Sequence, residues 1–299
     1  EHSLAAVSMV YRFHGRATHA AGQPHLGRSA LDACELMNVG VNYLREHMIQ
    51  EARIHYAYRD AGGGAPNVVQ DHAALYYFIR SPKISQALEL RERVNNCAKG
   101  AALMTGTTVE ILPVDGMCDY LPNHVLSQVL QQSFEAVGAP EFDEKDRQIA
   151  RSFQQDYPVD EVKAKVRAYG AKFGEEYVSM FSGKPLQDVV FPLRFPSTPL
   201  FGSTDVGDVS YVVPTAWLNA ACYAIGTPGH SWQLAAQVGT SVGEKGMLAA
   251  ARAMAHAAVT VMEEPSLLEK AQEEHQKTTG GAYVCAVPDD VKPHIEGEI

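Results

Sequence analysis

Val7-Ser8-Met9-Val10-Tyr11-Arg12-Phe13, then the loop Gly15-Arg16-Ala17-Thr18-His19, then a helical pattern from Ser29 decide the fold of this chain. The first seven residues alternate enough to read as a strand. From Ser29 to Met48, Leu31, Cys34, Leu36, Met37, Val41 and Leu44 recur at helical spacing. Ala52 to Tyr58 and Val68 to Ile79 read as two further strands, parted by the turn-prone Ala61-Gly62-Gly63-Gly64-Ala65-Pro66. Ser81-Pro82 opens a second helix running to about Met104, because the first helical turn tolerates a residue without an N–H. Thr107 to Leu112 reads as a fourth strand. The order β-α-β-β-α-β predicts a ferredoxin-like sandwich, with both helices on one face of an antiparallel sheet, ending near Asp119.

The remainder reads differently, which divides the chain into residues 1–118 and 119–299. Asn123 to Val137 predicts a helix, and Glu141 to Glu176 a charged, helical surface. Phe181 to Leu200 carries several prolines and little periodicity. Beyond Asp208, apolar runs punctuated by Gly and Pro suggest parts of an α/β layer whose other strands are not in this chain. A strand is expected after Asp208 and another through Cys222-Tyr223-Ala224-Ile225, with an Ala-rich helix from Ser241 to Met262.

Composition narrows the function. Apolar residues at 46% and charged residues at 20% place the chain among globular proteins. A net charge of −10 argues against general nucleic-acid binding, which needs excess Lys and Arg. The most apolar stretch, Met247 to Met262, is too short to span a bilayer and carries Arg252 and His256, so no membrane partner is expected. Five scattered cysteines without CxxC spacing suit reduced thiols in a cytoplasmic protein. The chain opens on Glu1 directly ahead of an apolar run, which we read as a missing or removed upstream segment.

His19 sits between Gly15 and Gly27, in a loop stiffened by Pro24, where an imidazole can face a developing oxyanion. Among twelve histidines, a lone solvated one is the blander alternative. Arg80 offers a planar fork suited to a carboxylate and Asn67 a further donor; equally, Asn67 could cap a turn and Arg80 simply end a strand. His230, in Gly226-Thr227-Pro228-Gly229-His230, could present a neutral imidazole to a divalent ion. Asp205 and Asp208 either orient that histidine or cap a turn and the strand after it, with capping favoured for Asp208. Lys245, near the start of the Ala-rich helix, could face the cleft, with a surface role favoured.

The run Phe13-His14-Gly15-Arg16-Ala17-Thr18-His19-Ala20-Ala21-Gly22-Gln23-Pro24-His25-Leu26-Gly27-Arg28-Ser29-Ala30-Leu31-Asp32 resembles the start of the lid, or dimerisation, domain of M20 metallopeptidases and amidohydrolases. Pro66-Asn67-Val68-Val69-Gln70, Gly100-Ala101-Ala102-Leu103-Met104, Ser203 to Ser210 and Gly226 to Gln233 resemble the aminobenzoyl-glutamate hydrolase branch. The resemblance implies a ferredoxin-like lid over 1–118, followed over 119–299 by the C-terminal portion of a catalytic α/β domain. It implies a metal-dependent amidohydrolase acting on the amide bond of N-acyl amino acids or short peptides such as p-aminobenzoyl-glutamate. Two ions, zinc or manganese, would serve the complete enzyme. His19 would then steady the oxyanion, often across a homodimer formed through the lid. Asn67 and Arg80 would hold the substrate carboxylate, and His230 would be a metal ligand. The other metal ligands and the glutamate base lie upstream in that family, so the chain is expected to be inactive alone. The alternatives are a non-catalytic dimerisation and carboxylate-binding module and, for residues 6–118 alone, a ferredoxin-like sensor.

Overall fold

The computed structural model describes residues 3–195, 202–280 and 283–291. The last part of the proline-bearing Phe181 to Leu200 segment lies outside the described residues. The elements run β1 (Ala5–His14), α1 (Ala30–Leu44), β2 (Arg53–Asp60), β3 (His72–Ser81), α2 (Ile84–Thr105), β4 (Thr108–Met117), α3 (His124–Val137), α4 (Glu144–Gln154), α5 (Val159–Phe173), α6 (Glu175–Phe181), α7 (Val206–Val212), α8 (Trp232–Val238), α9 (Ser241–Glu263) and α10 (Pro265–Thr279). They fall into two units. The first takes in the described residues of His2–Tyr120, Pro199–Val212 and Ala282–Ile299; the second takes in those of Leu121–Thr198 and Val213–Gly281.

The first unit holds one sheet of order β2-β3-β1-β4, with every neighbouring pair antiparallel. β1 lies inside the sheet and is buried along almost its whole length. Val7, Met9, Tyr11 and Phe13 meet Leu75, Tyr77 and Ile79 of β3, and Cys34, Met37, Val41, Val94 and Ala98 of α1 and α2, in one apolar core. Each large apolar side chain buried there contributes roughly 1.5–3 kcal/mol.

Several boundaries differ from the sequence expectation, each for a local reason. Ser29 caps α1, its Oγ accepting from Asp32 N at 3.0 Å, but the helix ends at Leu44 and tightens into a 3-10 turn over Arg45–His47. There the Arg45 guanidinium donates to Ile54 O at 2.9 Å and ties the turn to β2. α2 begins at Ile84, two residues past Pro82, because buried Asp119 takes Ile84 N at 3.1 Å and Lys83 Nζ at 2.7 Å. β3 starts at His72, since residues 67–70 pair with the loop after β1 instead.

Two tyrosines carry hydroxyls into the core, where each must find a partner. Tyr11 donates to Asn95 Oδ1 at 2.7 Å, and Tyr77 to Asn38 Oδ1 at 2.6 Å. One asparagine comes from each helix, so polar pairs as well as apolar packing hold the helices in register with the sheet.

The second unit is helical, and among the described residues it contains no strand. The strand expected after Asp208 is helix α7 in the first unit, a short apolar run being compatible with either element. The strand expected at Cys222 to Ile225 is irregular. Its backbone groups are taken by Gln237 Oε1 on Ala224 N (2.8 Å), Pro185 O on Ile225 N (2.9 Å) and Gln154 Nε2 on Ile225 O (2.8 Å). α3 packs along α9, and Asn123 both caps α3 and donates to Ala271 O at 2.9 Å. Lys245 is not a plain surface residue: its Nζ lies 2.5 Å from Asp146 Oδ2 and 3.0 Å from Asp143 Oδ2.

Two outcomes are expected. Asn95→Leu strands the Tyr11 hydroxyl in the core and should cost about 1–3 kcal/mol, read as a lower urea midpoint at unchanged m; an unchanged midpoint refutes the pairing. Burial alone would raise the Asp146 carboxyl, but bonds from Lys245, Ser241 and Asp143 N outweigh it and hold the group at about 2, below its ordinary 3.8. A depressed carboxyl contributes stability that is full above the unfolded value and is lost as pH falls through the folded one. Stability from this group should therefore fall between about pH 4 and pH 2. In Lys245→Met that part of the acid dependence should flatten; a Tm profile parallel to the parent's would contradict it.

Candidate functional site

Strand pairing does not stop where β1 ends. Gly15 N donates to Asp71 O at 2.7 Å, Val69 N to Thr18 O at 3.0 Å and Ala20 N to Asn67 O at 2.9 Å. His19 itself forms an antiparallel bridge with Val68. The returning limb of the loop is tied in too. Arg16 and Arg28 exchange both backbone bonds, at 2.8 and 3.0 Å, and Ala30 N donates to Gln70 O at 2.9 Å. This lacing is why Gly15 is a glycine, since a Cβ there would lie 2.0 Å from Arg28 O. A Cβ on Gly27 would lie 2.6 Å from Thr18 Cγ2.

Within that frame the His19 ring is held by its own loop. Nδ1 accepts from Gly22 N at 3.0 Å and from Ala21 N at 3.2 Å. A ring nitrogen that accepts carries no proton, so a neutral His19 keeps its proton on Nε2 and offers that N–H from an exposed side chain. A fixed N–H donor can stabilise negative charge that develops on an oxygen.

Asn67 is exposed, in the turn at the far side of the Val68 bridge, so the fold brings His19 and Asn67 together. Arg80 lies elsewhere. It pairs with Ala6 and Arg53, while the loop end of β3 begins at His72, opposite His14. Eight residues of strand separate those two ends, roughly 26 Å. The Arg80 guanidinium stacks over the Phe78 ring at 4.5 Å on the face of the sheet away from the helices. His55, on β2 opposite Phe78, has its pKa lowered by burial and by the neighbouring Arg80, Arg45 and Arg53.

His230 belongs to the second unit, exposed, just before Ser231 caps α8. Its φ of 56° puts a non-glycine residue in the left-handed region. The loop before it is fixed by buried Gln237, which donates to Thr227 Oγ1 at 3.0 Å, and by Lys165 Nζ on Thr227 O at 2.6 Å. Asp205 and Asp208 belong to the first unit. Asp205 lies in the turn that starts α7; Asp208 accepts from Cys118 N at 3.1 Å and Tyr283 Oη at 2.9 Å. Sequence reading missed these partners because 90 and 75 positions separate them from Asp208.

Among the described residues no three His, Cys, Asp or Glu side chains come together as metal donors. His230 is one donor where a divalent ion such as zinc takes four ligands, so this donor set does not fit a metal by itself. The chemistry available from this chain's own residues is that of a positioned imidazole N–H, an amide and a guanidinium.

Residues 4–104 match the M20 peptidase dimerisation domain. The chain is 40% identical over 295 residues to one of the subunits of p-aminobenzoyl-glutamate hydrolase from Escherichia coli (strain K12), covering 97% of this chain and 61% of that one. It is 28% identical over 274 residues to the Xaa-Arg dipeptidase of Mus musculus, covering 91% and 51%. A solved aminobenzoyl-glutamate utilization protein from Klebsiella pneumoniae overlaps 45% of this chain and 34% of its own, at 23% identity and a TM-score of 0.40. The chain thus spans between half and two thirds of the length of these curated relatives. Among the described residues no helix is long and apolar enough to cross a membrane. Residues 4–104 thus match a peptidase dimerisation domain, and the chain as a whole is similar to the hydrolases just described.

Proposed function

We propose that this chain is part of an amidohydrolase that cleaves the amide bond of N-acyl amino acids or dipeptides, with p-aminobenzoyl-glutamate the first substrate to try. The observation that carries the reading is the immobilised His19, whose ring accepts at Nδ1 and so presents Nε2–H beside Asn67. In this reading residues 1–118 are a ferredoxin-like lid and 119–299 the C-terminal portion of the catalytic domain. His19 steadies the oxyanion, and Asn67 and Arg80 hold the substrate carboxylate. His230 is the one ligand this chain gives to a two-ion zinc or manganese centre, whose remaining ligands and base lie in further polypeptide. The chain alone is then inactive, and the enzyme is a cytoplasmic homodimer.

The separation of roughly 26 Å between Arg80 and the loop end of β3 sharpens that reading. One small substrate cannot touch both His19 and Arg80 of a single chain. The site therefore takes His19 and Asn67 from one protomer and Arg80 from its partner, paired through the exposed edge strand β2 and the exposed Leu36, Val39 and Tyr43 of α1. The second reading, a carboxylate-binding module without catalysis, uses the same Asn67 and Arg80. Ligand binding without turnover in the full-length protein would favour it.

Complementation tests the shared site, in a polypeptide that carries this chain with the further length of its relatives. His19→Ala and Arg80→Ala should each lose most activity, the first mainly in kcat and the second mainly in KM. Unfolded and refolded together in equal amounts, they should regain about a quarter of parental activity, since half the dimers are mixed and each holds one intact site. No recovery in demonstrably mixed dimers rules the shared site out. His230→Gly should separate structure from chemistry. Left-handed backbone costs a non-glycine residue about 1–2 kcal/mol, so the variant should gain about 1 kcal/mol in urea unfolding. It should also bind zinc more weakly in the complete enzyme. A variant less stable than its parent removes the strain argument.

A further inference from the structure

A cluster at the end of β4 has no part in the proposed chemistry. Asp208 accepts from Cys118 N and from Tyr283 Oη, and the Cys285 thiol lies close to the same tyrosine. Cys118 Sγ lies 3.8 Å from Val284 O, against the peptide group that leads into Cys285. One residue further, Ala286 packs so closely on the strand that a Cβ at Gly116 would lie 2.7 Å from Ala286 Cβ. Residues 284–286 are thus held along residues 116–118 by contacts on both sides of Cys285. Peptide geometry puts Cys285 Cα within about 3 Å of the Val284 oxygen. Cys118 Sγ therefore lies within about 7 Å of Cys285 Cα, so a shift of a few ångströms in the stretch around Cys285 would bring the two sulfurs to bonding distance. Their exposures are opposite, with Cys118 buried and Cys285 exposed.

We propose that Cys118 and Cys285 form a dithiol site that closes to an intramolecular disulfide when the chain meets a small-molecule disulfide of the glutathione type. The exposed Cys285 thiolate attacks one sulfur of the oxidant, making a mixed disulfide and expelling one thiolate. As Cys118 attacks Cys285 Sγ, its proton passes by way of the adjacent Asp208 carboxylate to the departing sulfur, which leaves as the second thiol. Each cysteine sulfur is oxidised by one electron, and the oxidant is reduced by two electrons to two thiols, which take up the two released protons. Burial, with Asp208 beside it, pushes the Cys118 thiol up, so Cys118 reacts as the resolving partner and not first. The bond would fasten residues 283–291 to β4 and, through Tyr283, to Asp208 of α7.

The test is oxidation of the full chain under native conditions with oxidised glutathione, followed by alkylation and a non-reducing tryptic map. The expected result is a disulfide between the peptide 100–145, which carries only Cys118, and the peptide 278–299, which carries only Cys285, with Cys34, Cys97 and Cys222 still alkylated. The oxidised chain should also melt higher than the reduced one, because the cross-link closes a long loop. Cys285→Ser, an exposed change that leaves the fold intact, should lower the cross-link at least tenfold and abolish the oxidation-dependent rise in Tm. A stable glutathione adduct on Cys285 with Cys118 still alkylated overturns the proposal. So does a Cys285 bridge between two chains.

Discussion

The antiparallel ladder between β1 and β3 is the interaction on which the rest of the first unit depends. It sets ten residues of an almost wholly buried strand against ten of its neighbour, and it fixes which side chains face the helices. A slip of one residue would turn Val7, Met9, Tyr11 and Phe13 away from α1 and α2 and leave both core asparagines without their tyrosines. The same ladder continues past His14 through Gly15, Thr18 and Ala20, so the register that builds the core also places His19 against Val68. Core and candidate site are thereby parts of one hydrogen-bonded construction. Damage at Gly15, where no Cβ fits, would reach both.

Much of this was legible in the residues because it is periodic or local. The alternation from Val7, the helical spacing after Ser29, the glycine turn before Asn67 and the helical stretch over 123–137 each declare themselves within a few positions. Gly15 and Gly27 also marked places where the backbone has unusual freedom, though not the close contacts that require it. The strand boundaries were less legible, since they depend on where a distant carbonyl or carboxylate waits. Buried Asp119 starts α2 at Ile84, and the claim of the 16–30 loop on residues 67–71 delays β3 until His72. The tautomer of His19 was equally hidden, being set by two loop amides and not by residue type.

The second unit shows the limit of pattern reading more sharply. Apolar runs between glycines suggested strands, yet polar side chains take the backbone groups that a sheet would have paired. Gln237 and Gln154 serve Ala224 and Ile225, and Glu274 receives His124 N and Val125 N. A glutamine that satisfies a backbone amide thirteen residues away leaves no period in the sequence. Lys245 makes the same point with charge: placed on a helix it reads as solvated, while its Asp146 partner is almost wholly buried.

Strand geometry also limits what any functional reading can ask of a single chain. A strand lengthens by about 3.3 Å per residue and cannot fold back on itself without losing its ladder. Arg80 and the His19 loop are held at opposite ends of β3, which is paired along both edges, so side-chain motion cannot close the gap between them. A long arginine reaches several ångströms, and a loop histidine fewer. If both touch one small substrate, a second copy must supply one of them, and a two-fold axis that makes the exchange once must make it twice. In such an assembly the dimerisation domain has a role beyond joining protomers: it completes each site.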